Sequence, residues 1–201
     1  YFDNTIKSID EIDKRNLAIL ALIPSIGKVF SDRKKKTRKY QKKLGNVEKL
    51  QRRLITHEDP KSPVSEAYRY LRTSLMYSHL KKDEGNVILV SSPGPGEGKT
   101  TTIVNLAITY ANLGKKTILV DCDLRKPVTH KIFNIDKDPG ITKYLSGNLD
   151  NIDGIINKTE VEKLHMITCG IVPPNPSEIL ASDQMEKLIE KLKKEYDVIL
   201  M

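Results

Sequence analysis

Val87-Ile88-Leu89-Val90, then Ser91-Ser92-Pro93, then Gly94-Pro95-Gly96-Glu97-Gly98-Lys99-Thr100-Thr101: this stretch decides the fold. The first four residues are a short apolar run bounded by turn residues, and they predict a buried strand. Beyond the glycines, Ile103, Leu106, Ala107, Tyr110 and Ala111 recur at helical spacing. A strand, a glycine-rich loop and a helix in that order are the context of a phosphate-binding loop. Glycines let successive backbone N–H groups converge on phosphate oxygens, and the helix N-terminus adds the positive end of its dipole. In such a loop Lys99 supplies a point charge to phosphate and Thr100 a hydroxyl to Mg²⁺. The expected nucleotide-binding residues are therefore Pro95, Gly96, Glu97, Gly98, Lys99, Thr100 and Thr101. The alternative is a glycine turn with an incidental lysine, which the flanking strand and helix disfavour. The loop departs from the general G-x-x-x-x-G-K-S/T pattern, whose first glycine would fall at Pro93. Partitioning and septum-site ATPases carry an extra lysine near the loop start. That position here is Gly94.

Working outward, Gly114-Lys115-Lys116 closes the helix with a glycine suited to a left-handed cap. Thr117-Ile118-Leu119-Val120 then predicts a second buried strand with Asp121 at its C-terminal tip, followed by Asp123 and Arg125. Ligands of open α/β sheets bind at that edge. Two carboxylates one residue apart can hold Mg²⁺ directly or through water, or one can take a proton from an attacking hydroxyl. The competing reading is a solvated turn whose acids cap the next helix.

These residues resemble a known family. Ser92-x-x-Pro95-Gly96-Glu97-Gly98-Lys99-Thr100 followed by Asp121-x-Asp123-x-Arg125 is similar to the bacterial tyrosine kinases of polysaccharide export. Glu66-Ala67-Tyr68-Arg69-Tyr70-Leu71-Arg72 resembles that family's E-x-x-R-x-x-R segment, and Pro173-Pro174-Asn175-Pro176-Ser177-Glu178-Ile179-Leu180 its proline-rich stretch before a helix. The resemblance runs from about Ser62 to Met201, and the first thirty residues look like the segment joining the family's membrane domain to its kinase.

The resemblance implies an α/β, P-loop NTPase-like fold with a mostly parallel sheet flanked by helices, residues 61–201, after a juxtamembrane segment and basic linker, residues 1–60. It implies ATP as substrate and Mg²⁺ as cofactor, with Lys99 neutralising transferred charge and Thr100 and Asp123 holding the metal. Asp121 then orients or deprotonates the tyrosine hydroxyl of a neighbouring subunit's tail, and Arg125 organises that tail or the interface. Glu66, Arg69 and Arg72, spaced by three, would line a helix face that assembles subunits into a ring; by spacing alone they are a surface salt-bridge ladder. Partners are further copies of the chain, the cytoplasmic face of the bacterial inner membrane through an upstream segment, and polysaccharide export machinery. The family's acidic residue after the last strand would follow Met201, since Asp197 precedes that apolar run. A chain lacking it and the tyrosine-rich tail is expected to be weak or inactive alone. Two rivals stay open: a partitioning-type ATPase, and a nucleotide-gated assembly module without phosphotransfer.

Composition adds bounds. The 201 residues allow one domain with a substantial core and an appendage. Eleven Lys and Arg against Asp32 and Glu48 between Ser31 and Arg53 exceed the whole chain's net charge of +8. The excess therefore belongs to one linker. A solvated spacer and contact with anionic lipid compete for it; nucleic acid is not expected as a partner, because no aromatic platform or DNA-binding motif accompanies it. Cys122 and Cys169 have no metal-type spacing, and His57, His79, His130 and His165 are scattered. Leu17–Ile23 is too short to span a bilayer, which takes roughly 20 residues, and reads as a strand after a short helix at Ser8–Ile12. Pro63 opens a helix with Ala67, Tyr70, Leu71, Leu75 and Tyr77 or Ser78 on its packing side. Pro127–Phe133 predicts a short helix, Lys163–Thr168 a third strand, Ser177–Glu195 one long amphipathic helix, and Tyr196–Met201 a fourth strand.

Overall fold

The computed structural model describes residues 9–24, 54–78 and 85–201. The basic stretch from Ser31 to Arg53, and with it most of the expected linker, lies outside the described residues. The elements are α1 (Ile9–Asp13), α2 (Ile55–Glu58), α3 (Pro63–Ser78), β1 (Asn86–Ile88), α4 (Lys99–Asn112), β2 (Thr117–Val120), α5 (Thr129–Ile132) and α6 (Ile141–Leu145). A 3₁₀ turn (Ile152–Ile155), β3 (Ile156–Lys158), β4 (Leu164–Ile167), α7 (Pro176–Leu180), α8 (Asp183–Glu195) and β5 (Val198–Leu200) follow.

The five strands lie in the order β1-β5-β2-β4-β3, parallel throughout except for β3, which runs antiparallel on β4. Parallel strands need crossovers, and helices that supply them cover both faces. All four residues of β2 are accordingly buried. Leu119, Met166 and Leu200 turn to one face, where Ile103, Leu106, Ala107 and Tyr110 of α4 pack on them. Ile118, Val120, Ile167 and Ile199 turn to the other, against Met185, Leu188 and Leu192 of α8 and against α6. Burying a Leu or Ile side chain contributes about 1.5–3 kcal/mol, so these two interfaces dominate the favourable side.

Several expectations need correction. Val87–Val90 is not buried. β1 is an edge strand, and Val87 is 37% and Leu89 71% exposed, while Ile88 is buried in the α4 core and half-buried Val90 packs against it. Pairing does continue past the assigned strand, with Val90 N–H donating to Met201 O. Leu17–Ile23 is extended but joins no strand among the described residues. It alternates half-buried Ile19, Ala21 and Ile23 with exposed Leu20 and Leu22, and Ile23 packs near Val64 and Tyr68. On α3 the inward positions are Val64, Tyr68, Leu71 and Leu75, whereas Tyr70 and Tyr77 face solvent. The single long C-terminal helix is two. Ser182, extended at φ −77° and ψ 154°, stands at the N-cap position of α8 with its Oγ donating back to Ile179 O, and Asp183 and Glu186 in the first turn suit the helix dipole. The antiparallel β3 went unread because Ile156-Asn157-Lys158 is too short to show a period.

α2 and α3 form a second layer over α4. Thr56 N–H and Oγ1 donate to Asn105 Oδ1 at 3.0 and 2.9 Å, and Asn105 Nδ2 donates to Thr101 O at 2.8 Å. Asn105, in the middle of the helix that leaves the glycine loop, thus ties that loop's first turn to the appendage.

Candidate nucleotide and phosphotransfer site

Two strand tips, β1 and β2, carry the site at the C-terminal edge of the sheet. After β1 the chain turns through Ser92, whose Oγ donates to Gly94 O at 2.9 Å. Gly94 N–H donates to Glu97 Oε2 at 3.1 Å, folding the loop on itself. Gly96 at φ +80° and Gly98 at φ +96° are in the left-handed region, which only glycine enters without strain. A Cβ placed on either would meet nothing within 4 Å, so the concave side of the loop is open. Lys99, Thr100 and Thr101 form the first turn of α4, whose backbone N–H groups have no intrahelical acceptor. An open cradle, free donors and a dipole end fit a phosphate group.

Lys99 folds back over this cradle. Its Nζ donates to Ser92 Oγ at 3.1 Å and to Gly94 O at 3.4 Å. Ser92 is thus a residue that spacing alone did not mark as functional: it holds the lysine ammonium over the glycine loop.

Asp121 sits just beyond β2, 4% exposed. Its Oδ2 accepts a short hydrogen bond from Thr129 Oγ1, and its Oδ1 accepts Asp123 N–H at 3.1 Å. Burial pushes its pKa up; those hydrogen bonds pull it back, and the Asp123 charge adds a smaller upward push. A carboxylate held in place with a raised pKa suits a proton acceptor. Thr129 is the second residue missed, since nothing eight positions downstream signals it.

Asp123 is exposed, and its Oδ1 accepts the backbone N–H groups of Arg125 and Lys126 at 3.3 and 2.9 Å. It therefore fastens the bend after β2 and does not cap the next helix, Thr129–Ile132, while Oδ2 has no partner among the described residues. The Arg125 side chain is exposed, and among the described residues its backbone N–H is what bonds, to Asp123. Asp197 sits at the opposite edge of the sheet, where its Oδ2 accepts Lys116 N–H at 2.7 Å. Cys122 and Cys169 flank Asp121 with thiols pushed by burial up to about 12 and about 11, so they pack rather than react. Among the described residues no group of three or more His, Cys, Asp or Glu side chains gathers as a metal site.

The three residues spaced by three on α3 do not share a face. Each step of three turns the helix by about 60° short of a full circle, so Glu66 and Arg72 diverge by about 120°. Glu66 and Arg69 form an exposed ion pair at 3.4 Å, and Arg69 also donates to Pro60 O. Arg72 points inward, donating Nη1–H to Thr109 O of α4 at 2.7 Å.

A parallel sheet, a left-handed glycine loop opening a helix and an acidic neighbouring strand tip define a P-loop nucleotide-binding protein. A family profile described as an AAA domain matches residues 85–201. Tyrosine-protein kinase YwqD of Bacillus subtilis is 36% identical over 152 residues, 76% of this chain and 63% of that protein. The solved BceF tyrosine kinase domain superposes with TM-score 0.78 at 30% identity, covering 97% of this chain and 75% of that one. The kinase domain of Escherichia coli tyrosine kinase ETK gives TM-score 0.81 at 26% identity, covering 98% and 72%. The chain belongs to the bacterial tyrosine kinase family. It spans less than two thirds of its curated relatives, and only 20% of a Klebsiella pneumoniae protein that it matches at 40% identity over 148 residues.

Proposed function

We propose that the intact protein is an ATP-dependent protein-tyrosine autokinase that regulates capsular or exopolysaccharide polymerisation and export. The observation that carries this reading is the pairing of an open phosphate cradle with a buried, hydrogen-bonded Asp121 of raised pKa. Position 94 argues against a partitioning-type ATPase. It is glycine, its N–H is taken by Glu97, and no lysine enters the loop from that point.

In this reading the N–H groups of Gly96 to Thr101 hold the phosphates of ATP. Lys99 leaves Ser92 and Gly94 to neutralise charge on the leaving oxygen. Thr100 and Asp123 would hold Mg²⁺, which would supply charge neutralisation at the phosphates. Asp121 accepts the proton of the incoming tyrosine. Positioning and charge stabilisation account for most of such a transfer. Arg125, whose side chain is exposed beside Asp123, meets the approaching tail of a neighbouring subunit.

Glu66 and Arg69 form the outward part of the subunit contact in a ring, and Arg72 supports it from inside by fixing α3 on α4. An upstream segment, and the basic linker through anionic lipid, hold the kinase at the cytoplasmic face of the bacterial inner membrane beside the export machinery. No helix among the described residues is long and apolar enough to cross a membrane. Lys99→Met in the full-length protein tests the reading. Phosphotyrosine formation should fall by at least about 10²–10³-fold with the thermal midpoint unchanged. Phosphorylation at the parent rate contradicts it.

A further inference from the structure

In the kinase reading Asp121 must meet an incoming hydroxyl in one orientation, and its own backbone does not supply that orientation. The last torsion of an aspartate is soft, because it turns an sp² carboxylate on an sp³ carbon. Two donors fix it from outside. Asp123 N–H donates to Oδ1 at 3.1 Å, and the Thr129 hydroxyl donates to Oδ2. The first is the local turn that an Asp makes with the backbone two residues on. The second reaches back across eight positions, from the first residue of α5.

Thr129 is itself held still. It is 4% exposed, and branching at Cβ restricts its χ1. Leu124, before it, is buried in the core on one face of the sheet, and Ile132 and Phe133, after it, are buried in the core on the other. Its backbone carbonyl accepts Phe133 N–H at 3.2 Å. A hydroxyl has one proton to donate, and that of Thr129 goes to Asp121. An ionised carboxylate has about four acceptor positions, so one donor on each oxygen fixes its plane and leaves each oxygen room for another. The carboxylate can then accept a further hydroxyl without turning.

The bland alternative is a clasp that only closes the loop between residues 121 and 129. That loop carries Asp123 and Arg125, both exposed. Loosening a clasp shifts Asp123 and weakens nucleotide binding. A carboxylate left free to turn in place slows the transfer and leaves binding alone.

We propose that Thr129 is a positioning residue for phosphotransfer, its hydroxyl holding the Asp121 carboxylate in the plane that receives the tyrosine hydroxyl. The inference rests on the kinase reading above. The tyrosine oxygen attacks the γ-phosphorus of ATP, the bond from that phosphorus to the β,γ-bridging oxygen breaks, and ADP leaves. The phenolic proton passes to Asp121 and then to solvent, while Thr129 keeps its own proton throughout.

The test compares full-length parent, Thr129→Val and Thr129→Ser proteins with ATP and Mg²⁺. It reads kcat and KM from phosphotyrosine formation, nucleotide affinity by calorimetry, and the thermal unfolding transition. Valine keeps the shape and removes the donor, whereas serine keeps the donor and removes a methyl group. Thr129→Val should lower kcat by about 10²-fold, with KM for ATP and nucleotide affinity unchanged. Thr129→Ser should restore most of that loss. Parent turnover in Thr129→Val, or a Thr129→Ser protein equally slow, overturns the proposal and leaves the kinase reading intact. Weakened nucleotide binding or lost cooperative unfolding in Thr129→Val makes the residue a structural clasp and overturns it likewise. No phosphotyrosine from the parent overturns both.

Discussion

Asp121 shows how burial and function pull against each other at one side chain. A carboxyl whose folded pKa is raised contributes stability that is full below its unfolded pKa and is lost as pH rises through its folded pKa. As the pH rises through that folded pKa, ionisation of Asp121 therefore opposes folding, despite hydrogen bonds from Thr129 and Asp123. Asp121→Asn keeps an acceptor and a shape without the charge. Thermal melts across pH should show the variant matching the parent in acid and surpassing it progressively towards neutrality, while its phosphotransfer collapses. A parent more stable than the variant at neutral pH contradicts the burial argument. The phosphate loop was legible at this scale because glycine spacing encodes backbone conformation directly: Gly96 and Gly98 both have positive φ. Ser92 and Thr129 were not, because their roles depend on where Lys99 and Asp121 point after folding.

At the scale of elements, α4 connects chemistry to scaffold. Its first turn is the phosphate cradle, and Asn105 one turn later accepts from Thr56 and donates to Thr101 O. Asn105→Ala leaves the buried Thr56 N–H and hydroxyl without Asn105 Oδ1, and should lower unfolding stability by about 2–3 kcal/mol. Urea titration measures it, and a change below about 0.5 kcal/mol contradicts the tie. The central strands were readable because β2 and β5 are continuous apolar runs covered on both sides, and β4 is broken only by His165. β1 misled for the same reason: its run is equally apolar, but sheet order puts it at an edge, and order is a tertiary property. The break before α8 was written in Ser182-Asp183, whose capping signal lay inside a pattern that otherwise continued helically. Leu17–Ile23 is an apolar run as a buried strand is, yet an apolar run reports only that a segment can be covered, not what it pairs with.

For the whole molecule, α3 separates folding from assembly. Arg72 is fixed inward on α4, whereas Arg69 is held at the surface by Glu66 and Pro60 O, although equal spacing made them look alike. Arg72→Ala should destabilise the isolated protein by about 1–2 kcal/mol. Arg69→Glu, which gives up surface contacts to Glu66 and Pro60 O, should cost less stability than Arg72→Ala and weaken ATP-dependent self-association, read by sedimentation velocity. A larger loss of stability in Arg69→Glu than in Arg72→Ala, with association unchanged, contradicts that division.

The central claim is that the γ-phosphate of ATP goes to a tyrosine hydroxyl rather than to water. Following the fate of the labelled γ-phosphate in the full-length protein with Mg²⁺ tests it most directly. The account predicts alkali-stable phosphotyrosine on the protein, absent in Lys99→Met. Label recovered only as inorganic phosphate, with none on tyrosine, contradicts it and makes the protein an ATPase.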